Sequence, residues 1–306
     1  MIQDIAPKVF YNEYVNKQPD DEAFVLIFKE GKCLIRRDRF EEIHFPEKAL
    51  CGESLLYTYL FRIDGEEYFL GNFIKENDLD SILAYGYDWE EMQAFRLGDP
   101  RDRCFAGITG FQLYNWYRRH RFCGTCGCET RRDENERMLF CPQCGEMYYP
   151  QICPGVIVGV THNGRLLMSR YRDRAYRHFA LIAGFTEVGE TPEQTVYREV
   201  MEEVGLPVKN IRYYKSQPWP FTDTLLMGFF CELDGDDETI LLEENELAEA
   251  GWYLPEEIPA ESLDSGRVSL TSEMMTLFRD CGGRLPKRFG QQQEETKKER
   301  NRGKKL

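Results

Sequence analysis

The stretch that most constrains this chain is Gly184 to Leu206, GFTEVGETPEQTVYREVMEEVGL. Thr191 and Pro192, followed by Glu193 and Gln194, read as a helix start: a hydroxyl at the N-cap, proline at the first helical position and acid in the first turn. The helix is expected to run from about Pro192 to Val204 and to stop at Gly205. Val196, Val200 and Val204 then share one face and dock on a sheet. Glu199, Glu202 and Glu203 gather on a different face, because residues three and four apart are neighbours on a helix. Like charges placed together repel, so the cluster costs stability unless a counter-charge sits among it. Hard divalent cations such as Mg2+ take oxygen ligands and supply that charge.

The bulk properties narrow the class. At 306 residues the chain is long enough for two domains and a small insert. It is 42% apolar and 30% charged, an ordinary soluble composition. A formal charge of −14 argues against broad electrostatic binding to nucleic acid, but not against recognition of one end or cap. No run approaches a membrane span, and the first residues hold no apolar core of signal-peptide length. Eleven cysteines without a secretory signal point to a reducing compartment, the cytoplasm, with metal binding favoured over disulfides.

In chain order, residues 1–118 carry no motif with assignable chemistry. Segments 24–28, 55–61 and 68–70 are rich in β-branched and aromatic residues and read as strands of a mainly β N-terminal domain. Ile108 to His120 reads as a helix. Cys33, Cys51 and Cys104 read as small buried apolar residues. Residues 119–150 hold Cys123-Gly-Thr-Cys126, fourteen residues, then Cys141-Pro-Gln-Cys144. Two such knuckles are a strong signal for a four-thiolate zinc ribbon, structural because four thiolates leave no open coordination position. Cys128 competes with Cys126, and the two-residue gap favours Cys126.

Residues 151–285 are expected to form an α/β domain, an α/β/α sandwich with a mixed sheet. Strands are expected at 152–160, 166–170, 179–183, 208–216 and 225–231, with a short one at 252–254. Asn163-Gly164 marks a hairpin turn, and a last helix covers 272–281. Ser216-Gln217-Pro218-Trp219-Pro220-Phe221 reads as a rigid loop presenting aromatic faces on which a base can stack. Residues 286–306 are rich in Gln, Lys and Arg and are expected to form a disordered basic tail.

Two of these motifs carry a family resemblance. Gly184, five residues, Glu190, seven residues, then Arg198-Glu199-Val200-Met201-Glu202-Glu203-Val204-Gly205-Leu206 resembles the Nudix box at every defined position. Glutamates on an exposed helix are ordinarily only a solvated face; the glycines, arginine and apolar residues at these intervals displace that reading. The SQPWPF hexapeptide, together with the upstream cysteines, resembles the NADH pyrophosphatase branch of the Nudix hydrolases. That branch continues its signature with Pro, any residue, Ser, where this chain has Thr222-Asp223-Thr224. Thr224 keeps the hydroxyl, Thr222 loses a ring constraint, and Asp223 adds a negative charge.

The resemblance implies metal-dependent hydrolysis of NADH or NAD+ to the nicotinamide mononucleotide and AMP, and removal of an NAD cap from RNA. It implies Mg2+ or Mn2+ held by Glu199, Glu203, Glu246 and the carbonyl of Ala183, with Glu202 beside them and Glu249 competing with Glu246. Glu203 or Glu202 would be the proton acceptor. It places Gln217, Pro218, Trp219, Pro220, Phe221, Thr222, Asp223 and Thr224 on the nucleotide, with Tyr149 and Phe185 at the nicotinamide end. Arg198 and Glu190 would pair to hold loop against helix. It also implies a homodimer. A hydrolase of ADP-ribose or dinucleoside polyphosphates is the near alternative, and a zinc-ribbon RNA-binding protein without hydrolysis the distant one.

Overall fold

The computed structural model describes residues 1–51, 55–73, 79–172, 178–243, 245–263 and 268–289. The expected tail beyond residue 289 therefore lies outside the described residues. The chain forms two compact units. One contains Ile2–Ile152 together with Trp219–Asp223; the other contains Met1, Cys153–Pro218 and the chain from Thr224 onward.

The first unit is mainly β, as its composition suggests. Strands β1 (Phe10–Tyr11), β2 (Phe24–Leu26), β3 (Leu55–Ile63) and β4 (Glu66–Phe73) form a sheet in the order β1-β3-β4-β2. β3 and β4 are an antiparallel hairpin turned at Asp64, which takes a φ of 50°. A second small sheet is built from segments 28–29, 32–37, 43–44 and 88–91. Cys33, Cys51 and Cys104 are all buried, as expected.

Helix α1 spans Arg101–Arg119, starting well before the expected Ile108. Its first turns are charged, and glycines at 107 and 110 weaken the helical signal. Those glycines are there for packing: a Cβ at 107 would meet the Phe95 ring at 2.4 Å, and one at 110 would meet Leu26 at 2.2 Å. The ribbon follows as a three-stranded sheet of segments 131–132, 139–140 and 147–148.

The second unit is a mixed sheet with a helix on each face. Its elements are β5 (Cys153–His162), β6 (Arg165–Tyr171), β7 (Ile182–Phe185), α2 (Pro192–Val204), β8 (Val208–Trp219), β9 (Thr224–Leu233), β10 (Leu247–Tyr253) and α3 (Leu270–Asp280). The sheet order is β8-β9-β5-β6-β10, with β7 pairing β5. β5 and β9 run parallel from Cys153↔Thr224 to Thr161↔Glu232, while β5–β6, β5–β7 and β6–β10 are antiparallel. Asn163 and Gly164 both take positive φ, 50° and 73°, the hairpin geometry their sequence calls for.

Alternation along β5 assigns the faces. Val156, Val158 and Val160 pack with Val196, Val200 and Val204 of α2. Ile157 turns the other way and packs with Leu270, Met274 and Phe278 of α3. α2 has the expected bounds: Thr191 and Gln194 form a reciprocal capping box, Pro192 opens the helix, and Gly205 closes it at a φ of 69°.

Three local expectations are corrected. β10 is seven residues long rather than the short strand expected at 252–254. The rigid loop expected at 216–221 is instead the end of β8, which runs through Pro218 to Trp219, followed by a 3-10 turn at Pro220–Thr222. β8 lies at the sheet edge, where a proline removes no needed donor. The segment 286–289, expected to belong to the tail, is docked. Phe289 packs against Tyr214 and Phe230 at ring separations of 5.2 and 5.4 Å, and Arg212 donates to the Pro286 carbonyl. One aromatic in a polar run is enough to tie it down.

The α2–sheet contact sets the stability of this unit. Val200→Ala should cost about 2–3 kcal/mol in urea denaturation, from lost burial plus a cavity. Val188→Ala, at a fully exposed side chain, should change stability by less than ~0.5 kcal/mol.

Candidate active site

The acidic loop and helix are assembled around one guanidinium. Arg198 Nε and Nη2 donate to the two oxygens of Glu190 at 2.7 and 2.9 Å. Its Nη1 donates to Glu199 Oε1 at 2.7 Å and to Glu202 Oε2 at 2.9 Å. Nη2 also reaches the Phe185 carbonyl at 2.8 Å. The expected Arg198–Glu190 pair is therefore present and bidentate. Arg198 also supplies part of the counter-charge that the glutamate cluster requires. Glu190 accepts further from the Glu187 N–H and the Thr195 hydroxyl, and Arg198 holds its carboxyl down at about 2.

The glutamates differ in environment. Glu203 is 3% exposed and Glu199 9%, on the side of α2 that faces β7. Glu202 keeps most of its side chain in solvent. Burial pushes the Glu199 carboxyl up against the opposing pull of Arg198, and the charges of Glu202 and Glu246 add to the rise. The Glu199 carboxylate lies directly over Gly184: a Cβ there would fall 1.9–2.2 Å from its atoms. Ala183, one residue before, is half-buried on β7 and pairs with Ile157.

Glu246 reaches the same neighbourhood through backbone tethers. Glu243 N–H donates to the Glu203 carbonyl, Leu241 N–H to the Val204 carbonyl, and Arg172 N–H to the Glu246 carbonyl. Its competitor Glu249 is occupied elsewhere, 3.6 Å from Arg170 and accepting from the Tyr253 hydroxyl. Among the described residues, only two sets of three or more side chains have ligand atoms all within 4.8 Å of one another: the four cysteines, and Asp38, Glu42 and His44. The glutamates are thus gathered on one surface but not drawn into a closed cage. Their donor set, two buried carboxylates with exposed acids beside them, suits a hard cation that keeps part of its water. Asp38 has a local use: one of its oxygens accepts from the Phe40 and Glu42 N–H groups in a turn.

The ribbon closes as its spacing suggests. Cys123–Cys144 and Cys126–Cys141 sulfurs are 3.5 and 3.4 Å apart. Four thiolates about 2.3 Å from a tetrahedral ion lie about 3.8 Å apart, so the set fits zinc. The knuckles repeat one geometry: Gly127 N–H bonds the Cys123 carbonyl and Gly145 N–H the Cys141 carbonyl, with φ of 73° and 79°. Cys128 is outside the set and turns to the Glu129 carbonyl. The Tyr148 hydroxyl lies 3.3 Å from Cys123 Sγ and pulls its thiol below the usual range. Sequence reading passed over Tyr148, whose position next to Tyr149 hid it.

The aromatic motif divides between two roles. Gln217 is fully buried, and its amide is spent on backbone: Nε2 donates to the Val268 carbonyl at 2.7 Å and Oε1 accepts from Leu270 N–H at 2.6 Å. Its side chain ties the end of β8 to residues 268–270. Pro218 is half-buried at the strand end, Pro220 and Thr224 are buried, and Thr222 is exposed. Trp219 and Phe221 lie together, rings 4.8 Å apart, with Arg96 over the Trp219 ring at 5.5 Å. Asp223 takes a φ of 57° and pairs with Arg119 at 2.6 Å. No sequence spacing links Arg96 or Arg119 to the motif, so neither was visible beforehand. Tyr149 and Phe185 are both exposed, each 55%, and the Tyr149 hydroxyl bonds Glu136.

Comparison with known proteins matches these elements. Residues 152–274 match the NUDIX domain, and residues 118–149 match the NADH pyrophosphatase zinc ribbon domain. The NAD-capped RNA hydrolase NudC of Pectobacterium carotovorum subsp. carotovorum (strain PC1) is 38% identical, over 56% of this chain and 71% of its own. The protein of that name from Pectobacterium atrosepticum is 45% identical over the same shares. A NUDIX hydrolase structure from Nitrosomonas europaea aligns with a TM-score of 0.47 at 23% identity, covering 56% of this chain and 96% of that one. With a catalytic box, a four-cysteine ribbon and relatives at this identity, the chain belongs to the Nudix hydrolase family, in the branch that carries the NADH pyrophosphatase zinc ribbon.

Proposed function

We propose that this protein hydrolyses the pyrophosphate bond of NADH and NAD+ to the nicotinamide mononucleotide and AMP, and removes the NAD cap from RNA to leave a 5′-monophosphate. The observation that carries the reading is the burial of Glu199 and Glu203 on one side of α2, with Gly184 kept bare to admit the Glu199 carboxylate. Two carboxylates buried one turn apart are costly, and Arg198 bonds Glu199. A cation-binding role accounts for that cost.

Glu199, Glu203, Glu246 and the Ala183 carbonyl would hold Mg2+ or Mn2+. A divalent ion bound there supplies charge screening at the phosphates and acidifies a water. The chain's own part is to place oxygens and take a proton. A water oxygen attacks phosphorus, the bridging P–O bond breaks, and Glu203 or Glu202 accepts the water's proton. Arg198 keeps the loop from Phe185 to Glu190 seated on α2 while this happens.

Exposed Phe185 and Tyr149 suit contact with a nicotinamide ring, and Trp219 and Phe221 suit contact with a base. Asp223 would repel a nucleotide if free, but Arg119 occupies its carboxylate, so the departure from the family signature leaves the substrate reading standing. The proposal includes a homodimer and a site of action in the cytoplasm. Among the described residues no helix is long and apolar enough to cross a membrane.

With Mg2+ or Mn2+, the purified protein should release AMP from NADH. Glu203→Gln should reduce that release by at least ~100-fold with an unchanged melting temperature, whereas unaltered release would remove Glu203 from the mechanism. Glu202→Gln, tested beside it, separates the two acceptors. Gly184→Ala should push the Glu199 carboxylate aside and weaken Mn2+ binding about 10- to 100-fold, read by titration. Stripping zinc with a chelator, or Cys141→Ser, should unfold the ribbon, seen as lost dispersion of its NMR signals.

A further inference from the structure

The two cysteine knuckles share a backbone geometry but differ in their second residue. The first reads Cys123-Gly124-Thr125-Cys126 and the second Cys141-Pro142-Gln143-Cys144. Gly124 therefore keeps an N–H that Pro142 lacks. That N–H donates to the Tyr148 hydroxyl at 2.9 Å, and the same hydroxyl lies 3.3 Å from Cys123 Sγ. With its oxygen already accepting from Gly124, the hydroxyl is left with a proton to give, and the sulfur is the acceptor within reach.

Tyr148 approaches the first knuckle from the strand beyond the second. It follows Cys144 in sequence, lies on the short strand 147–148 and pairs across from Leu139. Its ring rests against His120, centroids 5.2 Å apart. His120 is itself held: its Nδ1 is 2.9 Å from the Trp116 carbonyl, and its own carbonyl accepts from Thr130 Oγ1 at 2.7 Å. The hydroxyl thus joins the two halves of the ribbon by a path that does not pass through the metal. Among the described residues, no other sulfur of the four accepts from a hydroxyl.

Charge gives this contact its weight. Four thiolates outweigh the charge of one zinc ion, and the excess has to be met by hydrogen-bond donors. Cys126 and Cys144 are exposed and can use water, whereas Cys123 and Cys141 are buried. A buried sulfur takes its donors from the protein. A hydroxyl aimed at Cys123 draws off part of the excess and fixes the direction in which that sulfur faces the ion, which is how partners of metal ligands raise affinity.

We propose that Tyr148 is a zinc-retaining residue: its hydroxyl, held by the Gly124 N–H, donates to the Cys123 thiolate and keeps the first knuckle in its metal-binding geometry. The glycine-for-proline difference between the knuckles decides which of them is tied. All of these residues lie in one compact unit, and the tie is independent of the reaction proposed above.

The test measures zinc affinity of the full-length protein by competition with a chromophoric chelator, and the 113Cd resonance of the cadmium-loaded protein. Tyr148→Phe keeps the ring against His120 and removes only the hydroxyl. Its zinc affinity should fall about 10- to 100-fold, and its 113Cd resonance should move. Gly124→Pro should weaken zinc binding in the same direction. The second knuckle already accommodates proline at that place, and the proline ring would stand where the N–H meets the hydroxyl. Tyr149→Phe, whose hydroxyl bonds Glu136 instead, should bind zinc as the wild type does. Unchanged affinity in Tyr148→Phe would overturn the proposal. An equal loss in Tyr149→Phe would also overturn it, marking a loosened strand rather than a bond to sulfur. If Tyr148→Phe fails to fold, Gly124→Pro decides, and unchanged affinity there would overturn the proposal.

Discussion

One guanidinium organises the catalytic end of this protein. Arg198 bonds three carboxylates and a main-chain carbonyl, so a loop and a helix that would otherwise repel each other form one surface. The planar five-donor fork makes this possible; a lysine ammonium at the same place would satisfy fewer partners and leave orientation undetermined. The acids around it sit in different environments. Glu190 is held ionised by direct pairing. Glu199, paired but buried, is pushed the other way. One segment thus holds both a structural clamp and a buried carboxylate.

The sheet supports this arrangement through simple alternation. Val156, Val158 and Val160 of β5 pack under α2, and Ile157 between them packs under α3. A slip of one residue would exchange the two faces and carry Glu199 away from Gly184. The valines of α2 therefore do more than contribute burial: they fix the rotation of the helix, and hence where its glutamates project.

How much of this was readable from sequence depended on how local the cause was. α2 was legible to the residue because Thr191, Pro192, Gln194 and Gly205 each act within a turn or two. The zinc site was legible because thiolate spacing leaves few geometries. Glu246 was placed by resemblance, and the structure adds backbone tethers and its electrostatic effect on Glu199. The burial of Gln217 was not legible because it depends on residues 268–270, some fifty positions away. The start of α1 was missed because Gly107, needed for close packing on Phe95, looks like a helix breaker. Arg96 and Arg119 meet the aromatic motif only through the folded chain.

The interleaving of the two units has a consequence for biosynthesis. Residues 2–152 leave the ribosome first, but the unit they belong to also includes Trp219–Asp223, whose 3-10 turn packs on α1. Its Asp223 partner for Arg119 emerges only after most of the catalytic sheet has been translated. The N-terminal half therefore gains its last packed segment only after the chain has passed through much of its successor.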